Sequence, residues 1–197
     1  MCGLVGWLDY HNSINRNTII QMNNEISHRG PDSNGIWTDT IIGLGHSRLA
    51  VIDTSKKANQ PMISGDGRYI IVYNGEIYNF KEIMNQLQKR GEKFKTSCDT
   101  EVILLAYKIW GKKSVIKFNG MFAFAIWDTK NKTLFMARDR VGEKPLYYKT
   151  SGDAIIFASE IDPIINKLNQ SNVCNKKVLD FLENNYVSNS QTIIENI

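Results

Sequence analysis

The chain has 197 residues with 42% hydrophobic and 10% aromatic content, enough for one well-packed core. Its net charge of +4 arises from 24 basic and 20 acidic side chains that are scattered, not banded with aromatics, which argues against a nucleic-acid surface. The three cysteines, Cys2, Cys98 and Cys174, form no CxxC pair and no cluster with histidine, so neither a disulfide framework nor a metal site is expected.

In chain order, CGLVGWLD (2–9) reads as a strand, and NTIIQMNNEIS (17–27) as a helix with Ile19, Met22 and Ile26 on one face. SHRGPDSNG (27–35) reads as a loop in which His28 is a surface or loop-fixing group. The apolar runs 41–53 and 69–79 read as strands, and an Asn-Gly pair, Asn74-Gly75, interrupts the second. NFKEIMNQLQKRG (79–91) predicts a helix capped by Asn79 and ended by Gly91, with Phe80, Ile83, Met84 and Leu87 at helical spacing. DTEVILLAYKIWG (99–111) predicts another, begun by Asp99 or Thr100 and stopped at Gly111. Strands follow at 121–128, 133–139, 146–150 and 154–159, joined as hairpins through the polar connectors 128–132 and 151–153. The end, 175–197, reads as a short helix and a polar tail. Strands in groups with helices interspersed predict an α+β domain with two mainly antiparallel sheets flanked by helices. No run approaches the ~18–20 apolar residues of a membrane span, and the N-terminus lacks signal-peptide features, so a cytoplasmic protein is expected.

Cys2 is the most suggestive reactive group. Removal of Met1 would join a thiol nucleophile and a partly neutral α-amine base in one residue; the structural alternative is a small buried hydrophobe opening a strand. Asn74-Gly75 reads first as a hairpin turn. The same pair could instead offer a side-chain amide and an unobstructed backbone N–H as an oxyanion hole. Arg48, set in an apolar run, is either an edge residue paired with a carboxylate or a fork for a small carboxylate ligand. Asp99 is either a helix cap or a partner for a substrate ammonium. ARDRVGEKPLYY (137–148) reads as a charged strand-turn-strand held by internal ion pairs, and no Walker-type or GxGxxG phosphate loop is present.

Nine stretches, MCGLVG, SHRGPDSNG, GHSRLAVID, NQPM, VYNGEIYNF, DTEVILLAY, NGMFAFAIWD, ARDRVGEKPLYY and FASEI, occur in this order along nearly the whole chain. Together they resemble the N-terminal glutaminase domain of glutamine-hydrolysing asparagine synthetase, a class II glutamine amidotransferase of the N-terminal nucleophile hydrolase superfamily. The resemblance implies a four-layer αββα sandwich and hydrolysis of the glutamine amide through a Cys2 thioester, with the Cys2 α-amine as base. It implies that Asn74 and Gly75 form the oxyanion hole, that Arg48 binds the glutamine α-carboxylate and Asp99 its α-ammonium, and that Leu49, Ala50, Val51, Ile52 and Glu76 complete the pocket. It implies no metal or cofactor for this activity. Residues 1–197 would form a single domain whose last ~20 residues lead into an ATP- and Mg2+-dependent synthetase domain outside this sequence. Glutamine and that domain are the implied partners, a homodimer is compatible, and neither nucleic acid nor membrane is expected. Cys98 departs from the pattern by setting a second thiol beside Asp99. The alternatives are a catalytically silent or regulatory domain of the same fold, or an amidotransferase serving an acceptor other than aspartate.

Overall fold

A computed structural model describes residues 1–169, 172–187 and 191–197. Among the described residues, nine strands form two antiparallel sheets. One has the order β2-β3-β1-β9-β8, built from Ser33–Thr38, Ile42–Arg48, Gly3–Asp9, Ala154–Ala158 and Tyr147–Ser151. The other has the order β4-β5-β6-β7, built from Met62–Ile63, Tyr69–Ile77, Gly120–Asp128 and Thr133–Arg138. Helices α1 (Arg16–Glu25) and α4 (Asp162–Leu168) cover the outer face of the first sheet, while α2 (Phe80–Gln88) and α3 (Asp99–Trp110) cover that of the second. This is the expected four-layer αββα sandwich, and a further helix, α5 (Asn175–Asn184), follows.

Strand alternation builds the layers. On β5, Ile70 and Val72 turn inward to meet Leu4, Leu44, Trp127 and Phe157 between the sheets, while Tyr69, Ile71, Tyr73 and Ile77 turn outward under α3. Fully burying side chains of this size contributes roughly 1.5–3 kcal/mol each. The predicted face of α1 is correct, since Ile19, Met22 and Ile26 are buried against the first sheet.

Several expectations are corrected. Asn74-Gly75 makes no turn: β5 runs through it to Ile77, and Gly75 sits opposite Phe122 in an unbroken register with β6. A Cβ at Gly75 would collide with the Met121 carbonyl oxygen and the Phe122 Cα, so only glycine lets the two strands approach here. The strand expected over 41–53 stops at Arg48, and the chain leaves the sheet as a loop. Helix α2 ends at Gln88, three residues before Gly91; Asn79 holds the N-cap position as expected, but its side chain makes no capping bond to the helix. Its side chain instead donates to the Lys117 carbonyl and accepts from the Asn119 N–H, tying α2 to the approach to β6. Strands β2 and β4 were not foreseen. Within the polar tail, residues 188–190 lie outside the described residues.

Candidate active site

The sandwich opens at the end where β1 begins and β3 ends. A cavity of about 180 Å³ lies there, lined by Cys2, Arg48, Tyr73, Asn74, Gly75, Glu76, Asp99 and neighbouring residues. That volume has room for a small polar molecule. Of the residues predicted for the site, Ala50 alone is outside the lining; its N–H donates to Asp32 Oδ2, at the base of the loop.

Cys2 precedes β1, and its Sγ lies 3.4 Å from the Leu49 N–H and 3.5 Å from the Leu49 carbonyl oxygen. Burial pushes the thiol pKa up, against the Leu49 N–H and the charges of the N-terminus and Arg48. A resting thiol of this kind needs a base to become a nucleophile. The Cys2 carbonyl accepts from Arg29 Nε at 3.0 Å, and Glu160 in turn holds Arg29 at 2.8 Å. His28 also reaches Glu160, at 3.0 Å, so it does fix the loop.

β5 forms the floor. Alternate N–H groups of a strand point the same way. On the edge away from β6, the Tyr73 N–H donates to Gln60 Oε1 at 2.6 Å and the Ile77 N–H to Asp99 Oδ2 at 3.1 Å. The Gly75 N–H lies between them on that same edge, facing the cavity. The Asn74 side chain turns to the opposite face of β5, toward the sheet that carries Cys2. It is 2% exposed, and among the described residues its Nδ2 has no hydrogen-bond partner. A buried amide donor left unpaired costs about 1–3 kcal/mol unless a ligand completes it.

Asp99 opens α3 and accepts from the Tyr73 hydroxyl at 2.7 Å. Burial raises the Asp99 pKa against the pull of these donors, and burial together with Asp99 pushes the Tyr73 phenol well above its ordinary value. Tyr73 therefore stays a donor and fixes one carboxylate oxygen. Arg48 is 7% exposed, and its partners among the described residues are carbonyls and an amide, not the carboxylate of the edge-pair reading. It donates to the carbonyls of Asp53 and Ser55 and to Asn59 Oδ1, so it is braced by the loop that follows it.

Other residues were missed. Gln60 bridges the Tyr73 N–H, the Tyr73 carbonyl and Thr100 Oγ1, bracing the floor; NQPM was noticed as a motif, but no property of it showed this role. Lys144 and Met121 also line the cavity. Among the described residues, no ion pair holds the segment 137–148, contrary to expectation. Asp139 instead accepts from the N–H groups of Phe122, Val141, Glu143 and Lys144, and Arg138 donates to the Gly142 and Lys144 carbonyls. Cys98 is buried at the cavity wall, its Sγ 3.0 Å from Thr96 Oγ1. Among the described residues, no group of three or more His, Cys, Asp or Glu could hold a metal ion, and no helix is long and apolar enough to cross a membrane.

Residues 1–197 match the family described as the glutamine amidotransferase domain. The chain is 42% identical over 170 residues to asparagine synthetase (glutamine-hydrolyzing) 3 of Bacillus subtilis, covering 84% of this chain and 27% of that protein. It is 38% identical over 197 residues to asparagine synthetase (glutamine-hydrolyzing) 1 of the same organism, covering 98% of this chain and 31% of that one. The chain thus spans less than a third of either relative. Its fold matches a glutamine phosphoribosylpyrophosphate amidotransferase from B. subtilis, with a TM-score of 0.71 and 24% identity over 85% of this chain and 44% of the other.

Proposed function

The chain belongs to the glutamine amidotransferase domain family, and on that premise we propose that it hydrolyses the side-chain amide of glutamine to glutamate and ammonia through a thioester on Cys2. The observation that carries the reading is the Asn74 Nδ2 left without a partner among the described residues, on a residue that with Gly75 and Cys2 lines one small cavity.

The chemistry follows from the groups present. After loss of Met1, the α-amine of Cys2 takes the thiol proton and Sγ attacks the amide carbon of glutamine. The carbonyl electron pair moves onto oxygen, where Asn74 Nδ2 and the Gly75 N–H receive it. As the oxyanion collapses, the C–N bond breaks and the α-ammonium returns its proton to the leaving nitrogen, which departs as ammonia. Water, deprotonated by the same amine, then cleaves the thioester and releases glutamate. Asp99 has one oxygen engaged by Tyr73 and Ile77, and it holds the substrate α-ammonium with Glu76 beside it. Arg48 holds the α-carboxylate, with Leu49, Val51 and Ile52 covering the bound side chain. This cycle draws on no metal and no redox group.

We further propose that residues 1–197 act as one glutaminase domain supplying ammonia to a synthetase domain that makes asparagine, a reading that the names of the relatives support; the resemblance adds that this domain would use aspartate, ATP and Mg2+. The test is ammonia and glutamate release from glutamine by the purified chain, compared with Cys2→Ala. Equal rates for the two would reject the proposal.

A further inference from the structure

Lys144 is 7% exposed and lines the same cavity as Cys2, yet the cycle above gives it no task. Buried ammonium groups are rare unless paired. Among the described residues the partner of its Nζ is the Met1 thioether, at 3.4 Å. That thioether belongs to the residue whose removal creates the α-amine, so processing would strip Lys144 of its contact and leave its charge facing the new terminus. Its backbone is rigidly set, because its N–H donates to Asp139 Oδ2 at 3.0 Å and its carbonyl accepts from Arg138 Nε at 2.6 Å.

We infer that Lys144 holds the Cys2 α-amine in its neutral, basic form by placing a fixed positive charge beside it; the inference rests on the glutaminase reading. From the Met1 thioether to the Cys2 nitrogen is at most ~6 Å of chain, which sets the ammonium within about 10 Å of that nitrogen. An α-amine ordinarily titrates near 7.7–8.0 and is mostly protonated at neutral pH. A cation at this range, in partly buried surroundings, lowers that value by on the order of one pH unit. The other charges near the terminus come from every element around it. Arg48 on β3 and Arg29, bonded to the Cys2 carbonyl, add to the effect, although Glu160 neutralises Arg29. Asp53, Glu76 and Asp99 oppose it. The Tyr73 phenol and Cys98 thiol have raised pKa values and stay uncharged near neutral pH. Arg48 keeps its three loop acceptors whether or not Met1 is present, whereas Lys144 is the cation whose contact is lost when Met1 is removed.

The experiment is the pH profile of kcat/KM for glutamine hydrolysis by the wild type, Lys144→Met and Lys144→Arg, each shown by intact mass to have lost Met1. Met keeps the apolar stem and removes the charge, whereas Arg restores it. The acid limb of Lys144→Met should move up by about one pH unit, cutting the rate about five- to tenfold near pH 6.5 and little near pH 9. Lys144→Arg should leave the limb where the wild type has it. A Lys144→Met limb that does not move, or a loss equal at every pH, overturns the inference and leaves the glutaminase reading intact. A processed wild type that does not hydrolyse glutamine overturns that reading, and the inference with it.

Discussion

The cavity has two unlike walls. Its floor is strand: Tyr73, Asn74 and Gly75 lie in continuous register with β6, and Gln60 and Asp99 brace the strand edge. Its cover is loop: Leu49 to Asn59 leaves β3 with Val51 72% exposed, and a few polar bonds hold it, from Arg48 to Asp53 and Ser55 and from Ser97 to Asp53. The difference teaches where each task sits. Donors for a developing charge must not shift as the charge appears, so they sit on a strand. Under the proposed function, a cover that admits glutamine sits on a loop held by a few polar bonds.

The comparison breaks hardest at the floor. Asn74→Ala should lower turnover on the order of 100-fold or more with little change in KM, read from steady-state kinetics. Gly75→Ala would force the Met121 carbonyl and Phe122 backbone away, and should lower both thermal stability and activity. Asp99→Asn should act differently, raising KM about 10- to 100-fold through loss of one charge-assisted contact. At the cover, Val51→Ala should change kcat/KM less than about threefold, because that side chain is largely in solvent. Comparable losses from Val51→Ala and Asn74→Ala would end the distinction between floor and cover.

A stability measurement sharpens it further. His46, at the centre of β3, donates Nε2–H to the Tyr73 carbonyl at 2.9 Å and so bolts the first sheet to the floor. Full burial, chiefly, holds its pKa down to about 4 from 6.5. Its folded form is neutral, while the unfolded chain takes up the proton below pH 6.5. Stability should therefore fall as pH drops from about 6.5 to 4, by roughly 3 kcal/mol in the limit. Denaturant unfolding across that range should show the fall in the wild type and a flatter dependence in His46→Gln.

How far the sequence reveals all this depends on the kind of signal. Long amphipathic runs such as 99–111 and alternating apolar runs such as 121–128 record burial directly, so α3 and β6 were legible to within a residue or so. Strand β2 was not, because SNGIWT is only half-buried and opens with turn residues. Asn74-Gly75 misled as a turn since the reason for its glycine, the Met121 and Phe122 backbone of β6, lies more than forty residues along the chain. The roles of Gln60 and Lys144 were hidden for the same reason: each is set by a partner that only the fold brings near. Arg48 stood out because a guanidinium in an apolar run raises a question about cost, Cys2 because removal of Met1 would make it the first residue, and Asp99 gained a site role through the resemblance.

The central claim is that Cys2 becomes a free N-terminal nucleophile in a pocket that recognises glutamine. Intact mass of the purified chain, taken before and after exposure to an electrophilic glutamine analogue and repeated with Cys2→Ala, tests it most directly. Loss of Met1 is expected, with a single adduct that is absent from the variant and suppressed by excess glutamine. A chain that keeps Met1, or that labels equally without Cys2, would contradict it.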